Sequence, residues 1–302
     1  MVIKVDLRQL QYFVAAADEG SISGAARRMY VTQPPVSVQI QQLERELGGA
    51  LFVRGGRRLE LTQAGRALYR HATLLLSLSR VAEEDVRAVQ SGQHGILRLG
   101  VVSSVGCAMA TDWLADFCSE QPQIDCELTE ANTYELLERL RTHVIDLCIV
   151  RRPFPDEGYA TLPLHSEPLM LFSSPAFPQV SDWAELSHLP LITYRRWEHI
   201  LRRQLEDRTL TLRLRCLCDD ARTAVSLCER DAGVCIAPAS ARALLRRTDM
   251  RIQSLPDNTL LSEIVLVYLP GQPLCEAAMR FKESLQTKTA DNGKMLSQSD
   301  AD

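Results

Sequence analysis

The fold of this chain is decided by residues 7–65, which read LRQLQYFVAAADEGSISGAARRMYVTQPPVSVQIQQLERELGGALFVRGGRRLELTQAG. Apolar residues recur at helical spacing from the start of this stretch, and the first helix should end near Gly20. Ser23 is the expected N-cap of a short second helix over residues 24–29, because its hydroxyl can accept a bond from a free backbone N–H. Two short helices with a third close behind them are typical of a helix-turn-helix.

The third helix carries the residues that we expect to contact DNA. Thr32 is its expected N-cap, and Pro34 and Pro35 lie in its first turn, where a missing N–H costs little. Its buried side is expected to consist of apolar residues at helical spacing, namely Val36, Ile40, Leu43 and Leu47. The polar and small side chains at the start of its other side suit base edges in a major groove.

An arginine-rich hairpin should follow at residues 52–61, with Gly55 and Gly56 permitting its turn. The arginines near its tip suit phosphate contacts, so the segment is interpreted as the wing of a winged helix-turn-helix. A generic three-helix bundle with a solvated basic loop is the alternative. The DNA-binding residues that we expect are Ser23, Thr32, Gln33, Pro34, Pro35, Ser37, Val38, Gln39, Arg54, Arg57 and Arg58.

Length and composition indicate an ordinary globular protein. The 302 residues suffice for about two or three domains, and 46% of them are hydrophobic. No apolar run approaches the roughly 18 residues that a membrane helix needs, and the N-terminus lacks the pattern of a signal peptide. We therefore expect a cytoplasmic protein without a membrane partner.

The net charge of −4 conceals an asymmetry along the chain. Residues 1–70 contain 10 Lys or Arg against 6 Asp or Glu, and the remaining 232 residues contain 24 against 32. The two segments thus carry +4 and −8. A basic N-terminal segment on an acidic remainder fits a nucleic-acid-binding module joined to a domain that does not touch DNA.

The nine cysteines and six histidines show no metal-ligand spacing, so we expect neither a metal nor another cofactor. Most of the cysteines lie within apolar runs, and we interpret them as buried, reduced thiols. A redox-sensing pair such as Cys228 with Cys235 is the alternative, with Arg230 as the only basic neighbour that could lower a thiol pKa.

A long helix without Pro or Gly is expected from Arg66 to about Gln90. Apolar and small residues follow each other along it at spacings of four and three, as in a coiled coil, at Leu68, Ala72, Leu75, Ser79, Ala82, Val86 and Val89. We expect self-association through this stripe, and packing on the helix's own domain is the alternative. Residues 91–95 should break the helix and form a hinge.

Beyond the hinge, predicted strands and helices alternate, which indicates two α/β lobes with parallel strands. The first lobe would take residues 96–165 with the terminal strand and helix, and the second lobe residues 166–262. Residues after about Lys288 are polar and should form a disordered tail. Ligands of open α/β sheets bind at the carboxyl ends of the strands, so the cleft between the lobes is the expected site.

Polar residues follow the predicted strands of the first lobe. Two serines end its first strand, an Asn-Thr pair begins its second helix, and one of Arg151 and Arg152 should point inward after its third strand. An arginine beside two helix N-termini can hold a carboxylate bidentately, so we expect a small anionic ligand. Ordinary helix capping and a surface salt bridge are the alternatives. The effector-binding residues that we expect are Ser103, Ser104, Asn132, Thr133, Arg151, Arg152, Tyr194 and Pro238.

The order of these residues resembles that of the LysR-type transcriptional regulators, over nearly the whole chain. The matching positions are Leu7-Arg8-Gln9-Leu10, Phe13, Ser23, Ala25-Ala26, Thr32-Gln33-Pro34, Ser37, Gln39-Ile40, Leu43-Glu44, Leu47-Gly48, Leu51-Phe52, Arg54, Leu61-Thr62 and Gly65. The resemblance implies a homodimer through the long helix, often a homotetramer, and regulation by a small molecule in a cleft like that of periplasmic solute-binding proteins. Val38 departs from the family, in which Arg, Lys or Gln is common at this position.

We therefore expect an α/β protein with an N-terminal all-α winged helix-turn-helix (residues 1–65) and a long dimerisation helix (66–91). A two-lobed effector domain of the periplasmic-binding-protein type (92–290) and a disordered tail (291–302) should follow. The expected function is a ligand-responsive transcriptional regulator that binds double-stranded DNA and a small anionic effector. A redox-sensing regulator of the same fold is the alternative. The chain lacks the residue sets of an enzyme, and a solute-binding receptor would need a signal peptide.

Overall fold

The computed structural model of the chain describes residues 5–53, 59–91, 95–256 and 260–299. The chain divides into two compact units that meet in sequence at Ser91 and Gly92, with Gly271–Pro273 grouped with the first unit. The predicted wing-tip arginines and part of the predicted hinge lie outside the described residues, namely Arg54, Arg57, Arg58 and residues 92–94.

The first unit begins with three helices, α1 Leu7–Glu19, α2 Ile22–Arg28 and α3 Gln33–Leu47. As predicted, α1 ends at Gly20, whose φ of 59° favours glycine. The N-cap of α2 is Ser21 and not the predicted Ser23. Ser21 has extended backbone and its hydroxyl accepts a bond from the Gly24 N–H at 2.9 Å, whereas Ser23 already lies inside the helix.

The third helix packs through the apolar side that its spacing predicts. Val36, Ile40 and Leu43 are buried in the core of the first unit. Leu47, which was predicted to join them, is 36% exposed because it lies in the last turn, where the helix has passed the core. Thr32 is the N-cap residue, but its side chain makes no capping hydrogen bond.

A short antiparallel ribbon follows α3, with β1 Phe52–Val53 paired to β2 Glu60–Leu61. The Glu44 carboxylate ties it to α3, because Oε1 accepts bonds from the N–H groups of Leu51 (2.8 Å) and Phe52 (3.3 Å). The Phe52 ring lies 5.3 Å from that of Phe13 in α1. The base of the predicted wing is therefore anchored to the helix that precedes it.

The long helix α4 Gln63–Ser91 starts three residues before the predicted Arg66. Its predicted stripe divides into two parts. Leu68 and Ala72 pack into the core of the first unit, while Leu75 and Val86 remain exposed, as does Leu78 beside them. The side chain of Val89 lies outside the described residues.

The described residues of the second unit contain one mixed nine-stranded sheet. Its strands are β3 Ile96–Val101, β4 Asp125–Glu130, β5 Leu147–Arg151, β6 Ala160–Ser173, β7 Leu191–Tyr194, β8 Leu214–Cys218, β9 Val234–Pro238, β10 Arg251–Ser254 and β11 Leu261–Tyr268. They lie in the order β4-β3-β5-β11-β6-β9-β7-β8, with β10 paired to β6. We call the part with parallel β3, β4 and β5 lobe 1, and the part with parallel β7, β8 and β9 lobe 2. The long strand β6 passes from β11 in lobe 1 to β9 in lobe 2, so the predicted two-lobed α/β fold is confirmed.

Helices cover the sheet of each lobe. Lobe 1 has α5 Ser103–Val105, a π-helical turn at Gly106–Ala110, α6 Thr111–Glu120, α7 Thr133–Arg141 and the terminal α11 Glu276–Ser299. Lobe 2 has α8 Trp183–His188, α9 Arg195–Glu206, α10 Ala221–Glu229 and a 3₁₀ turn at Ala239–Leu244. Residues 291–299, predicted as a disordered tail, belong to α11, because no proline interrupts the helix after Glu276.

A buried ion pair lies where the strands cross between the lobes. The Arg151 guanidinium at the end of β5 is fully buried and lies 2.8 Å from Oε1 of Glu167 in β6. It also donates hydrogen bonds to the hydroxyls of Ser104 (3.0 Å), Ser240 (3.0 Å) and Ser262 (2.7 Å). These serines come from lobe 1, the turn after β9, and β11, so one cation bonds to both lobes and a crossing strand.

We expect Glu167→Ala to lower the free energy of unfolding of the second unit by about 3–5 kcal/mol, because it leaves the Arg151 charge buried without a counter-charge. Urea denaturation followed by tryptophan fluorescence measures this unit selectively, since all three tryptophans, Trp113, Trp183 and Trp197, lie in it.

Glu263→Ala is the matched control, because Glu263 pairs with Arg152 at 3.2 Å on the surface, where a pair is worth about 0–1 kcal/mol. Equal small losses in the two variants would contradict a structural role for the buried pair.

Candidate functional site

The start of α3 presents most of the predicted DNA-contact residues to solvent. The exposed members are Thr32, Gln33, Pro34, Pro35 and Val38, and the partly exposed members are Ser37 and Gln39. Ser23 is exposed in α2 and donates a hydrogen bond to Oε1 of Gln33 at 3.1 Å. This bond holds the Gln33 side chain at the junction of the two helices.

Tyr30 is an exposed residue of this surface that sequence reasoning missed. It lies between α2 and α3 with a φ of 54°, and its side chain is 97% exposed. A solvent-facing phenol beside the start of α3 can donate to a phosphate oxygen. The available signal was a bulky aromatic in a tight turn, where no core can cover it.

The second unit contains a cavity of about 270 Å³ between its lobes. Lobe 1 contributes the ends of β3 and β4 and the start of α7, and lobe 2 contributes the ends of β7 and β8 and the start of α10. Its wall consists of Val102, Ser103, Ser104, Glu130, Ala131, Asn132, Thr133, Tyr194, Arg196, Asp219, Asp220 and Arg222. The carboxyl ends of parallel strands from both lobes thus meet here, as open α/β sheets predict.

The structure brings five of the eight predicted effector residues to this wall, namely Ser103, Ser104, Asn132, Thr133 and Tyr194. Two of them also have structural roles. The Asn132 side chain caps α7 by accepting a bond from the Glu135 N–H at 3.0 Å, and the Ser104 hydroxyl accepts from Arg151. Helix capping and a ligand-facing position therefore coexist at Asn132.

The other three predicted effector residues do not line the cavity. The Arg151 guanidinium pairs with Glu167 and donates hydrogen bonds to three serine hydroxyls behind the cavity wall. It therefore has no side available to bind a ligand. Arg152 turns to the surface, where it pairs with Asp156 and Glu263. Pro238 is buried in β9 opposite Leu169 of β6. The prediction that Arg151 or Arg152 faces the cleft is therefore wrong.

Arg196, at the start of α9, takes the place that was predicted for those arginines. One terminal nitrogen donates to the Thr133 hydroxyl at 2.9 Å, and the other donates to the Pro153 carbonyl at 3.3 Å. Its Nε is buried and has no hydrogen-bond partner among the described residues, and no described carboxylate pairs with it. Burial lowers the pKa of Arg196 to about 10, so the group remains a cation at neutral pH.

The acidic side chains of the wall are already paired. Arg222 lies 2.9 Å from Glu130 across the cleft and 2.7 Å from Asp220, whose side chain also caps α10. Burial acts to raise the pKa of Asp220, but hydrogen bonds from Arg222 outweigh it and the pKa is lowered. Asp219 pairs with the exposed Arg195 at 2.7 Å. Arg196 is therefore the wall cation whose charge the described residues leave unbalanced.

Tyr194 adds a second unsatisfied donor next to Arg196. Its side chain is 4% exposed, and its hydroxyl has no partner in full hydrogen-bonding geometry within the described part of the chain, although Trp197 and Ser104 lie near enough to act on its pKa. Burial raises the pKa of this phenol, which keeps it protonated and able to donate. A buried donor without a partner destabilises the protein, and a hydrogen bond to a ligand acceptor would remove that cost.

The predicted redox pair lies in an environment that suppresses thiolates. Cys228 and Cys235 are fully buried in lobe 2, and the Cys228 thiol donates to the Phe172 carbonyl at 3.2 Å. Burial raises the pKa of Cys228 to about 12 and that of Cys235 well above its usual value. Within the described residues no cluster of His, Cys, Asp or Glu has the form of a metal site.

The missed wall residues share one signal. Arg196, Asp219, Asp220 and Arg222 follow the carboxyl ends of β7 and β8, just as the predicted residues follow the strands of lobe 1. The same strand-end rule applied to lobe 2 finds all four. It cannot tell which of the two adjacent arginines after β7 enters the cavity.

Comparison with protein families matches both units. Residues 7–66 match the family described as bacterial regulatory helix-turn-helix protein, lysR family, and residues 90–290 match the LysR substrate binding domain. Within the described residues, no helix is long and apolar enough to cross a membrane.

Curated relatives cover the chain to different extents. The HTH-type transcriptional regulator TfdS of Cupriavidus pinatubonensis is 30% identical over 88% of this chain and 92% of its own length. The HTH-type transcriptional regulator CfxR of Cupriavidus necator is 37% identical over 60% of this chain, and that match spans 58% of the relative.

Solved structures agree with these relatives. The crystal structure of CbnR, a LysR family transcriptional regulator, has a TM-score of 0.60 and 25% identity, covering 94% of this chain and 99% of that one. A full-length OxyR variant from Pseudomonas aeruginosa has a TM-score of 0.66 over 94% of this chain and 95% of that one; at 22% identity it shows the fold alone. The chain therefore belongs to the LysR-type transcriptional regulators, which are ligand-responsive DNA-binding proteins and not enzymes.

Proposed function

We propose that this regulator binds a small anionic effector in the cavity between lobes 1 and 2, with Arg196 as the group that holds it. The observation that carries the proposal is the buried Nε of Arg196, which has neither a hydrogen-bond partner nor a carboxylate among the described residues. A carboxylate or similar oxyanion can accept from this nitrogen and satisfy the charge at once. The cavity of about 270 Å³ favours a compact effector.

Further donors support an anion at this position. The Tyr194 hydroxyl has no partner in full hydrogen-bonding geometry within the described residues, and the N-terminal turn of α7 begins at Thr133. A second oxygen of the effector could accept from the phenol while the first accepts from Arg196. The acidic wall residues do not oppose this, because Glu130 and Asp220 are balanced by Arg222, and Asp219 by Arg195.

Two contacts across the cleft connect effector binding to lobe position. Arg196 of lobe 2 donates to Thr133 of lobe 1, and Arg222 of lobe 2 pairs with Glu130 of lobe 1. An anion that draws the Arg196 guanidinium toward itself competes with the first contact. The effector then shifts the equilibrium between lobe arrangements by its difference in affinity for them. We propose that this shift changes how the assembled DNA-binding units contact DNA.

We expect Arg196→Gln to weaken effector binding by about 2–5 kcal/mol, roughly 30-fold or more, because it removes a charged donor from a buried contact. An anion that binds should raise the unfolding temperature of the full chain, measured with inorganic phosphate, sulfate and a panel of small mono- and dicarboxylates. Calorimetry then compares the affinity of the parent and the variants for that anion.

Arg202→Gln is the control, since Arg202 lies in the same helix as Arg196, pairs with Glu198 at 2.6 Å and does not line the cavity. It should leave the affinity within about threefold, as expected for loss of a surface pair. An Arg196→Gln variant that binds the anion as tightly as the parent would refute this site.

We propose that the start of α3 reads base edges while the wing arginines hold phosphates. Support comes from the exposure of Gln33, Pro34 and Val38 on an ordered surface, and from the anchoring of the ribbon by Glu44. A second solved structure of CbnR, also 25% identical to this chain, contains that protein in complex with its target DNA. Double-stranded DNA is therefore the partner that we assign to this surface.

Replacing Arg57 and Arg58 by Ala should reduce the slope of log affinity against log salt by roughly one to two units, because two phosphate contacts are lost. A salt titration on duplex DNA measures the slope, and Arg203→Ala in the exposed face of α9 is the control. An unchanged slope in the double variant would show that these arginines do not touch phosphates.

We propose that α4 forms a homodimer, which could pair again into a homotetramer. The support is a row of exposed apolar side chains on one helix, Leu75, Leu78 and Val86, which a monomer would leave in water. Burying such a row against a second copy is favourable by about 25 cal/mol per Å² of apolar surface.

Leu75→Glu should shift the oligomer toward monomers, because it places carboxylates opposite each other in the helix pair. Light scattering measures the mass, and Met279→Glu, an equally exposed position in α11, should leave it unchanged. If Leu75→Glu keeps the parent mass, the dimer interface lies elsewhere.

A further inference from the structure

We propose that Cys118 and Cys126 form a reversible disulfide in lobe 1, with a low-molecular-weight disulfide such as oxidised glutathione as the oxidant. Their sulfur atoms lie 3.7 Å apart, although neither residue belongs to the cavity wall. Cys118 lies in the last turn of α6, and Cys126 is the second residue of β4. The pair is thus a candidate modification site that is separate from the effector cleft.

The local structure permits the bond. A disulfide needs a sulfur separation of about 2.05 Å, so the two sulfurs must approach each other by about 1.7 Å. The connection between the two residues is short and turned back on itself, with bonds from Gln121 N–H to the Phe117 carbonyl (2.8 Å) and from Ile124 N–H to the Gln121 carbonyl (3.0 Å). In addition, β4 is the outermost strand of the sheet, so only β3 restrains it.

Exposure distinguishes Cys118 from the other cysteines. Among the cysteines whose side chains the structure describes, Cys118 is the exposed one, and Cys126, Cys216 and Cys218 are half-buried. Cys148, Cys228 and Cys235 are fully buried, and burial raises the pKa of each thiol. An oxidant in solution therefore reaches Cys118 before it reaches these three.

The two thiols have different roles in the exchange. The Cys118 thiolate, after giving its proton to water, attacks one sulfur of the oxidant and releases one thiolate of that molecule. The Cys126 thiol then loses its proton and attacks the Cys118 sulfur, which releases the second thiolate. Two protein thiols are oxidised to one disulfide, and the oxidant disulfide is reduced to two thiols.

The environment of Cys126 suits the second step. Burial, and then the neighbouring Cys118, raise the pKa of Cys126 to about 12, so it stays protonated while Cys118 is free. Once Cys118 is bound in a mixed disulfide, it can no longer carry a thiolate charge beside Cys126. That contribution to the raised pKa disappears, and the Cys126 proton leaves more readily.

The test is oxidation of the full-length chain with oxidised glutathione, followed by thiol counting and peptide mapping. We expect the nine thiols of the reduced chain to fall to seven and to return to nine with dithiothreitol. Combined cleavage by trypsin and by a glutamyl endopeptidase cuts after Glu120, which separates Cys118 from Cys126. A linked pair of peptides spanning that cut reports the disulfide directly.

Variants identify the sulfurs. Cys118→Ser and Cys126→Ser should each abolish the linked peptides, and Cys126→Ser should retain a glutathione mixed disulfide on Cys118. Cys107→Ser is the matched control, because Cys107 lies on the same proteolytic peptide as Cys118, and it should keep the link. Nine thiols that persist after oxidation, loss of the link in Cys107→Ser, or a bond between two chains on a non-reducing gel would each overturn the proposal.

Discussion

The buried pair of Arg151 and Glu167 is the interaction on which the second unit depends. A guanidinium removed from water is tolerated only with a counter-charge and filled hydrogen bonds, and Arg151 has both. Its partners come from lobe 1, from the crossing strands and from the turn after β9. The same bonds fix Ser104, whose other side belongs to the cavity wall. Arg151 thus helps to position the cleft through Ser104, although Arg151 itself does not line the cavity.

Two arginines of the second unit have different roles, one structural and one at the cavity wall, although both lie at or just after the carboxyl end of a strand. Arg151 holds the crossing strands and has no free edge, whereas Arg196 lies at the wall with an unsatisfied Nε. The acidic wall residues are balanced by Arg222 and Arg195. The positive charge available to an effector therefore belongs to Arg196 of lobe 2. The same side chain donates a hydrogen bond to Thr133 of lobe 1. One side chain can then sense a ligand and the relative position of the lobes.

Most of the fold could be predicted from the sequence, because each element has a local signature such as a cap, a glycine end or an apolar period. The strand-end rule likewise led to residues such as Thr133 on the cavity wall. Arg151 was misassigned because strand alternation gives the direction of a side chain but not its partner, and Glu167 lies on a later strand. The predicted N-cap Ser23 was wrong by two residues, because Ser21 offers the same capping hydroxyl. The prediction for Leu47 was wrong by one helical turn, since burial at a helix end depends on where the core stops.

The central claim is that a small anion binds at Arg196. Crystals of the full chain soaked in selenate, whose selenium scatters anomalously, test it directly. The account predicts an anomalous peak within hydrogen-bonding distance of the Arg196 Nε and the Tyr194 hydroxyl, and its absence in Arg196→Gln crystals. A cavity without a peak, or a peak at Arg152 that survives in Arg196→Gln, would contradict it.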